Sequence, residues 1–458
     1  MQPAVVLALL VGGWLRLTAL DVHSLWIDEC GTLGVALGPD LLEALRADRH
    51  PPLSFTAFRA WVWLFGENDA AVRALPALVS CVTLVLFAVW SARAVGGVRS
   101  AVATWLLAVA PYQVWMAQEV RMYTFVELGA VLVLLGGEWS RERRVAGSVV
   151  VGLGVAVAFG AHYLGVCVAG LALTAGSSWR ERRHAALGAA LGMLAWLPWL
   201  LFGLREQMQS SWGDTVKLSA RDLAELGPRL FAVELDAIPS AWRPAAYVWG
   251  ALYWLTLVRC AWLAREDRAA RVACFALALP VLFTLFTQAT VGGGFQTRYL
   301  IAATPGAALA AACGLSSRRA WTTPVVGGLL AFALFAHSML LRQRNLREDY
   351  ATACAEVACE WRPGDVVISI TGLEELFELA PLRHYLRERP DILATVQTWK
   401  QLETRLEYTV SPSARIHLVH RESGYAWAER DRLASRLVLV EASPRRERIE
   451  RSLWRRGP

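Results

Sequence analysis

The sequence has fewer charged residues than a soluble protein of its length usually has. Only 19% of its 458 residues are charged, whereas soluble proteins average about 25%. Lysine is nearly absent, since Lys217 and Lys400 are the only two. The net charge of +7 therefore comes from arginine. The sequence also has no zinc-finger, helix-turn-helix or RNA-binding signature, so it predicts no nucleic-acid partner.

Cysteine-based and nucleotide-based chemistry are not indicated either. The eight cysteines include no Cys-x-x-Cys pair, and most lie in or beside apolar segments, where cysteine behaves as a small hydrophobic residue. From residue 342 onward there is no Gly-x-Gly-x-x-Gly motif and no P-loop. These absences give no support to a cysteine-held zinc site or a disulfide framework, and they do not indicate nucleotide binding by the segment from residue 342 onward.

Long apolar runs dominate the chain instead, and they recur from Val5 to Leu341. About 18 apolar residues span the hydrocarbon core as a helix. The first run follows Met1-Gln2-Pro3, which carries no positive charge, so we interpret it as a membrane helix rather than a cleaved signal peptide. We predict about eleven spans, at residues 3–20, 72–91, 100–116, 124–137, 145–160, 164–177, 185–203, 244–263, 271–290, 299–315 and 321–341.

The arginine clusters between these runs predict the orientation of the chain. Short loops rich in arginine stay on the cytoplasmic side. With eleven spans, five such clusters fall on one side, which places the N-terminus inside and the C-terminus outside. We expect a multi-pass protein of the cell (inner) membrane. The clusters are Arg93 and Arg99; Arg141, Arg143 and Arg144; Arg180, Arg182 and Arg183; Arg265, Arg268 and Arg271; and Arg318 with Arg319.

The loops on the opposite side are the places where active residues can lie. Loops 21–71 and 205–243 are long, and those near 117–123 and 291–298 are short and polar. Within the first loop, Leu53–Phe65 is apolar and aromatic but too short to span, which predicts a helix lying in the membrane interface.

The segment 342–458 is charged and mixes helical and strand patterns. Such alternation predicts a small α/β domain. The fold class is therefore an all-α polytopic membrane domain, 1–341, followed by a small extracytoplasmic α/β domain, 342–458. The predicted helices are Glu348–Trp361, Leu373–Arg387 and Tyr425–Ser435, and the predicted strands are Val366–Ile370, Ile416–Val419 and Leu437–Val440.

Two adjacent carboxylates, Asp28 and Glu29, follow the first span. Carboxylates close to the membrane surface are costly to desolvate, which makes them functional candidates. One of them can act as general base on a hydroxyl, and the pair can hold a divalent cation. An ordinary acidic loop is an equally good interpretation of the pair alone.

Other polar residues stand at the ends of predicted spans. His50 precedes the rigid Pro51-Pro52 pair, and Glu119 with Arg121 lies between two apolar runs. His50 alone also fits a solvated loop histidine, and for Arg121 the alternative is snorkelling to the headgroups.

A glycine run, Gly292–Gly294, permits an irregular turn just before Arg298 and Tyr299. A guanidinium there suits bidentate contact with phosphate, and snorkelling is again the alternative. His162 stands at a further outer turn, where a packing role is as good an interpretation as a place in the same cavity.

Taken together, these motifs resemble those of the GT-C superfamily of membrane glycosyltransferases. The branch is that of bacterial enzymes related to protein O-mannosyltransferases and to aminoarabinose transferases of lipid A, and the resemblance covers about residues 1–341. The residues that carry it are Trp26-x-Asp28-Glu29, His50-Pro51-Pro52, Phe65-Gly66 with Arg73, Gln118-Glu119-x-Arg121-x-Tyr123, and Arg298-Tyr299-Leu300 with Pro305.

The resemblance implies an inverting transfer of a sugar from a polyprenyl-phosphate carrier to an extracytoplasmic acceptor. Asp28 maps onto the catalytic carboxylate, and Glu29 would support it or help to hold a metal. His50 stands where some relatives have lysine. The residues implied or predicted to bind the substrate are His50, Arg73, Glu119, Arg121, Tyr123, His162, Arg298 and Tyr299.

Two other functions stay open from the residues alone. Arginines near the membrane also fit a transporter or flippase for a lipid-linked anion, although the two similar halves common in transporters are not seen. The outer domain 342–458 could capture a binding partner. The identity of the sugar, the acceptor and the carrier lipid is not encoded in any readable motif.

Overall fold

A computed structural model describes residues 2–174, 179–207, 243–290, 296–315, 327–328, 349–370, 375–398, 415–421, 437–442 and 449–456. The chain divides into two compact units. The first comprises Met1–Leu20 and Leu42–Leu340, and the second comprises Asp21–Leu41 and Leu341–Pro458. The second unit thus includes a stretch of the first outer loop. The predicted boundary at 341 stays a prediction.

The described part of the chain is mainly helical. In chain order the helices are α1 (Pro3–Leu17), α2 (Ile27–Leu37), α3 (Leu41–Ala47), α4 (Leu53–Phe65), α5 (Asp69–Ala94), α6 (Gly97–Val109), α7 (Pro111–Ala117), α8 (Tyr123–Trp139), α9 (Arg144–Ala161), α10 (Val166–Gly170), α11 (Trp179–Leu194), α12 (Leu197–Gln207), α13 (Arg243–Leu263), α14 (Arg268–Thr290), α15 (Thr304–Leu315), α16 (Tyr350–Glu360), α17 (Glu375–Tyr385) and α18 (Pro390–Leu393). Short 3-10 turns occupy Tyr163–Gly165, Leu171–Thr174 and Thr297–Ala303.

The helices of the first unit are those of a polytopic membrane protein. Among the described residues, four helical segments are long and apolar enough to cross a bilayer: Asp69–Ala94, Arg144–Ala161, Arg268–Thr290 and Thr297–Leu315. A fifth candidate is the pair Arg182–Leu194 and Leu197–Gln207, which is bent by 52°. Large apolar side chains such as Trp14 and Phe286 are exposed, as lipid-facing residues are. The count of about eleven spans stays a prediction, and span 321–341 lies almost wholly outside the described residues.

Two predicted spans are not continuous helices. Residues 100–116 are divided between α6 and α7 at Ala110, because Pro111 has no N–H to donate to the carbonyl of Leu107. Arg16 of α1 supplies donors instead, to the carbonyls of Leu107 at 3.1 Å and Ala108 at 2.7 Å. In the described part of predicted span 164–177, α10 is followed by a 3-10 turn that ends at Thr174. Hydropathy alone does not detect such breaks.

Small residues allow the central helices to pack backbone to backbone. A Cβ atom added to Gly129 of α8 would lie 2.4 Å from the carbonyl oxygen of Gly154 of α9. Similarly, a Cβ on Gly188 of α11 would lie 2.2 Å from the carbonyl oxygen of Ser148. Such close approach is typical of membrane helices, where van der Waals packing replaces the hydrophobic effect.

Three of the predicted cytoplasmic loops meet at one end of this unit. Arg99 pairs with Asp267 at 2.5 Å, and Arg268 pairs with Glu138 at 3.2 Å. Glu138 also accepts from Arg141 at 2.6 Å. These ion pairs join loops 95–99, 138–144 and 264–268, so the three loops lie on the same side, as the charge pattern predicts.

The second unit contains a five-stranded mixed sheet. The strands are β1 (Val366–Ile370), β2 (Val396–Thr398), β3 (Arg415–Arg421), β4 (Leu437–Ala442) and β5 (Ile449–Arg456), in the order β2-β1-β3-β5-β4. Strand β1 is parallel to β2 and β3, whereas β5 is antiparallel to β3 and β4.

Strands β1, β3 and β4 lie where the sequence predicts strands, and α16 and α17 where it predicts helices. Strands β2 and β5 are additional. The predicted helix Tyr425–Ser435 lies outside the described residues.

A charged network joins this sheet to the end of α16. Arg415 donates to Asp365 at 2.6 Å, and the buried His417 contacts the same carboxylate at 3.1 Å. Arg451 of β5 donates to Glu360 at 2.8 Å. Burial raises the pKa of Asp365, but hydrogen bonds from Arg415 and His417 outweigh it and hold the pKa below its usual range.

Candidate functional site

Polar segments distant in sequence come together where α8 begins. The guanidinium carbons of Arg121 and Arg298 lie 6.0 Å and 5.8 Å from the centre of the Tyr123 ring. Arg298 reaches this ring from the 3-10 turn before α15, which is tied in place by the Tyr112 hydroxyl donating to the carbonyl of Thr297 at 3.0 Å. The structure thus brings together three of the predicted binding residues. The glycine run 292–294 lies outside the described residues.

His50 is held by a carboxylate that the sequence analysis did not single out. Both the backbone N–H and Nδ1 of His50 lie 2.8 Å from Oδ1 of Asp48, which is only 4% exposed. Burial raises the pKa of Asp48, but the charge and hydrogen bonds of His50 outweigh it, and the pKa is lowered. Asp48 therefore fixes the imidazole of His50 through Nδ1. The Asp-x-His spacing is the sequence signal that could have found it.

His162 and Tyr299 complete an aromatic row with His50. The rings of His50 and His162 are 5.3 Å apart, and those of His162 and Tyr299 are 5.7 Å apart. Nδ1 of His162 accepts the backbone N–H of Leu164 at 3.0 Å, so a neutral His162 carries its proton on Nε2. Burial lowers the pKa of His162 well below its usual range, and the positive charges of His50 and two arginines lower it further.

A hydrogen-bonded chain supports the loop that carries His50. The amide of the buried Gln207 donates to the carbonyls of Leu45 at 2.7 Å and His50 at 3.0 Å. Its oxygen accepts the hydroxyl of Tyr163 at 2.5 Å, and that hydroxyl accepts from Trp199 at 3.0 Å. Sequence reasoning missed Gln207, because an amide that binds backbone carbonyls leaves no motif.

Glu119 and Arg73 are both buried in the first unit. Oε1 of Glu119 accepts the indole N–H of Trp115 at 2.6 Å. Arg73 donates to the carbonyl of Leu20 at 2.9 Å, just beyond the end of α1. Arg73 therefore holds backbone at this point, and the phosphate contact expected of it stays a prediction.

Asp28 and Glu29 belong to the second unit, where they occupy the first turn of α2. Glu29 is fully buried and accepts the backbone N–H of Trp26 at 3.2 Å, which caps the helix. Asp28 is partly exposed, and its backbone carbonyl accepts the hydroxyl of Thr32 at 2.9 Å. The start of α2 is anchored within this unit, because the N–H of Leu25 donates to the Tyr385 hydroxyl at 2.6 Å.

A divalent cation at Asp28 and Glu29 requires further ligands. Across the described ranges, no three or more histidine, cysteine, aspartate or glutamate side chains are grouped so that they could hold a metal ion. The cap that Glu29 forms also uses one of its oxygens. The cation at Asp28 and Glu29 stays a prediction, and we derive no step through a metal.

The cluster in the first unit has the chemistry of an anion site. Two guanidinium groups adjoin one phenol ring, and the imidazole of His162 lies close enough to interact electrostatically with both of them. Arginine forks match the oxygens of phosphate and can bind them through two parallel hydrogen bonds. Such a cluster can hold a phosphate and stabilise negative charge that develops on it.

The sequence matches no family model and no curated protein. Solved structures, in contrast, match over nearly the whole chain. ArnT from Cupriavidus metallidurans bound to undecaprenyl phosphate aligns with a TM-score of 0.66 at 14% identity, over 98% of this chain and 97% of ArnT.

Two archaeal structures are also similar. The Archaeoglobus fulgidus oligosaccharyltransferase complex with Zn and sulfate has a TM-score of 0.54 at 11% identity, over 93% of this chain and 69% of that one. AglB from the same organism, in complex with an inhibitory peptide and a dolichol-phosphate, has a TM-score of 0.50 at 9% identity, over 91% and 69%. This chain therefore shares its fold with ArnT and with these two archaeal oligosaccharyltransferase structures.

Proposed function

We propose that this protein is an inverting glycosyltransferase that moves a sugar from a polyprenyl-phosphate carrier to an acceptor outside the cytoplasm. The observation that carries the proposal is the meeting of Arg121 and Arg298 on the Tyr123 ring. These arginines are 177 positions apart in sequence, so their meeting is a product of the fold. Neighbours of this fold were solved with undecaprenyl phosphate and dolichol-phosphate, which supports a lipid-phosphate donor.

In the proposed reaction, an acceptor hydroxyl attacks the anomeric carbon of the sugar. Asp28 takes the hydroxyl proton as the new C–O bond forms. The bond between the anomeric carbon and the phosphate oxygen breaks, and its electron pair stays on that oxygen. Arg121 and Arg298 stabilise the resulting charge, and the polyprenyl phosphate leaves. Inversion follows from a single displacement.

The motif resemblance implies a lysine in some relatives at the position where this chain has His50. Because Asp48 holds Nδ1 of His50, Nε2 is the atom that can face a substrate. We propose that His50 contacts the donor phosphate through this nitrogen. His162 and Tyr299 shape the same pocket, and Glu119 fixes the segment that carries Arg121.

The membrane arrangement is part of the proposal. Eleven spans with the N-terminus inside would put the start of α8 on the outer side of the inner membrane. The grouping of three arginine-rich loops at the other end of α8 supports this orientation. The acceptor is a glycan, lipid or protein, and loop 205–243 and the second unit are the parts expected to select it. Most of that loop lies outside the described residues.

Donor affinity in reconstituted liposomes tests the phosphate site. Arg298→Ala should weaken donor binding much more than acceptor binding, and Arg298→Lys should recover only part of it, because an ammonium group is not a planar fork. Arg141→Ala is the matched control, since Arg141 pairs with Glu138 at the other end of α8. An unchanged apparent donor affinity in Arg298→Ala would remove Arg298 from the phosphate site.

The same liposomes separate transfer from transport. A labelled polyprenyl-phosphate sugar that crosses the bilayer without cleavage would favour the flippase interpretation. Cleavage with release of polyprenyl phosphate would favour the transferase.

A further inference from the structure

The chain leaves α1 through a strained turn. Ala19 has a φ of +58°, and it is the one residue other than glycine with positive φ in the described ranges. Side chains with a Cβ rarely adopt this region, because the Cβ approaches a carbonyl oxygen. Such strain persists where surrounding contacts hold the backbone in place, and it tends to occur near functional sites.

Side chains from two other helices hold the backbone on both sides of Ala19. The amide of Gln118 donates to the carbonyl of Thr18 at 2.9 Å, and Arg73 of α5 donates to the carbonyl of Leu20 at 2.9 Å. Gln118 also lies 3.1 Å from the carbonyl of Leu15. The last carbonyls of a helix have no partner within it, so these donors satisfy groups that α1 cannot.

Gln118 links this turn to the proposed phosphate site. It directly follows α7 and stands three residues before Arg121, whose backbone N–H donates to the carbonyl of Glu119 at 2.7 Å. Movement of the α1 exit would therefore move the segment that carries Arg121. The same turn also leads directly into the segment that carries Asp28.

We propose that Gln118 is a positioning residue that holds the α1 exit in its left-handed turn and so sets the geometry of the transfer reaction. The effect on catalysis rests on the proposed function. The clamp, by which we mean the hydrogen bonds from the Gln118 amide to the carbonyls of Leu15 and Thr18, is a property of the fold. Gln118 acts through the backbone at Thr18 and needs no contact with the substrate.

The test combines a substitution that removes the hydrogen bonds of Gln118 with one that relieves the backbone strain at Ala19. Gln118→Ala should lower kcat about tenfold or more, since small displacements of a site are costly. Ala19→Gly in the same chain should recover most of the lost rate, because glycine adopts positive φ without a Cβ clash. Ala4→Gly, at the exposed start of α1, is the matched control and should not recover it.

Hydrogen–deuterium exchange of residues 15–20 gives a readout that needs no activity. Exchange there should speed up in Gln118→Ala and slow again in the double variant. If Gln118→Ala does not fold, Gln118→Asn, which keeps the amide on a shorter side chain, is measured in the same way. Unchanged exchange and kcat, or equal rescue by Ala4→Gly, would overturn the inference. A wild-type protein that transfers no sugar would overturn the proposed function, while exchange would still decide whether the clamp exists.

Discussion

Replacing Arg16 by methionine should destabilise the first unit strongly. Its buried guanidinium donates four hydrogen bonds, to the hydroxyl of Ser80 and to the carbonyls of Gly12, Leu107 and Ala108. Hydrogen bonds between membrane helices contribute about 0.6 kcal/mol each on average and up to about 1.7 kcal/mol. Arg16→Met should therefore lower the free energy of unfolding by roughly 2–5 kcal/mol.

Part of this loss depends on the break at Pro111. Pro111→Ala restores an N–H that can reach the carbonyl of Leu107, so Arg16 becomes less necessary. The double variant should therefore lose less stability than the two single changes predict, by about 0.5–1.5 kcal/mol. Unfolding in mixed micelles titrated with a denaturing detergent, followed by the fluorescence of the 21 tryptophans, measures each term. Arg141 forms a partly exposed ion pair with Glu138, so Arg141→Met should lower the free energy of unfolding by less than about 1 kcal/mol. Strict additivity, or equal losses for Arg16→Met and Arg141→Met, would refute the account of the break.

Three further predictions concern acid and packing. His162 has a lowered pKa in the folded state, so the unfolded chain binds a proton first, and stability should fall as pH drops below about 6.5; His162→Asn should reduce the Tm change between about pH 8 and 5.5. Asp365 also has a lowered pKa, so its contribution is present above about pH 3.8 and lost as pH falls through the folded pKa. Asp365→Asn should speed hydrogen exchange in β1 and β3 at neutral pH and lessen their acid sensitivity; equal exchange in both proteins would contradict this. Gly129→Leu should lower Tm markedly by separating α8 from α9, whereas Gly13→Leu, with open space around it, should not.

Local signals predicted the bounds of helix α4 well. The predicted bounds, Leu53–Phe65, coincide with those of α4, because Pro51 and Pro52 precede the apolar run and Gly66, with a φ of +83°, ends it. Trp63 is 83% exposed, as expected of a residue that faces lipid or interface. Sequence sufficed here because both ends are set by residues with restricted or unusual backbone geometry.

The sequence did not predict which distant side chains form hydrogen bonds with buried polar groups. Arg16 appeared as one charge within an apolar run, and only the fold shows that it replaces the donor missing at Pro111. Strand β5 was missed because its arginines suggest a solvated tail, yet Arg451 is buried against Glu360. A sequence pattern predicts an interaction between two side chains only when both residues stand close together in the chain.

The motifs named residues that the fold brings together, but they did not predict the contacts between them, and the roles of these residues stay predictions. The motifs named His50, Arg121 and Arg298 because membrane-edge charges are costly unless they serve a function. That Arg121 and Arg298 adjoin one tyrosine ring, and that Asp48 holds His50, follows from long-range packing. The roles of Asp28 and Glu29 stay predictions.

Release of sugar from a labelled polyprenyl-phosphate donor by purified protein, compared between the wild type and Asp28→Asn, tests the central claim most directly. We expect the wild type to transfer the sugar to an acceptor with inverted configuration. The variant should bind the donor, melt at a similar temperature and transfer at least about a hundredfold more slowly. Equal turnover by the two proteins would contradict the assignment of Asp28 as the base, and with it the proposed mechanism.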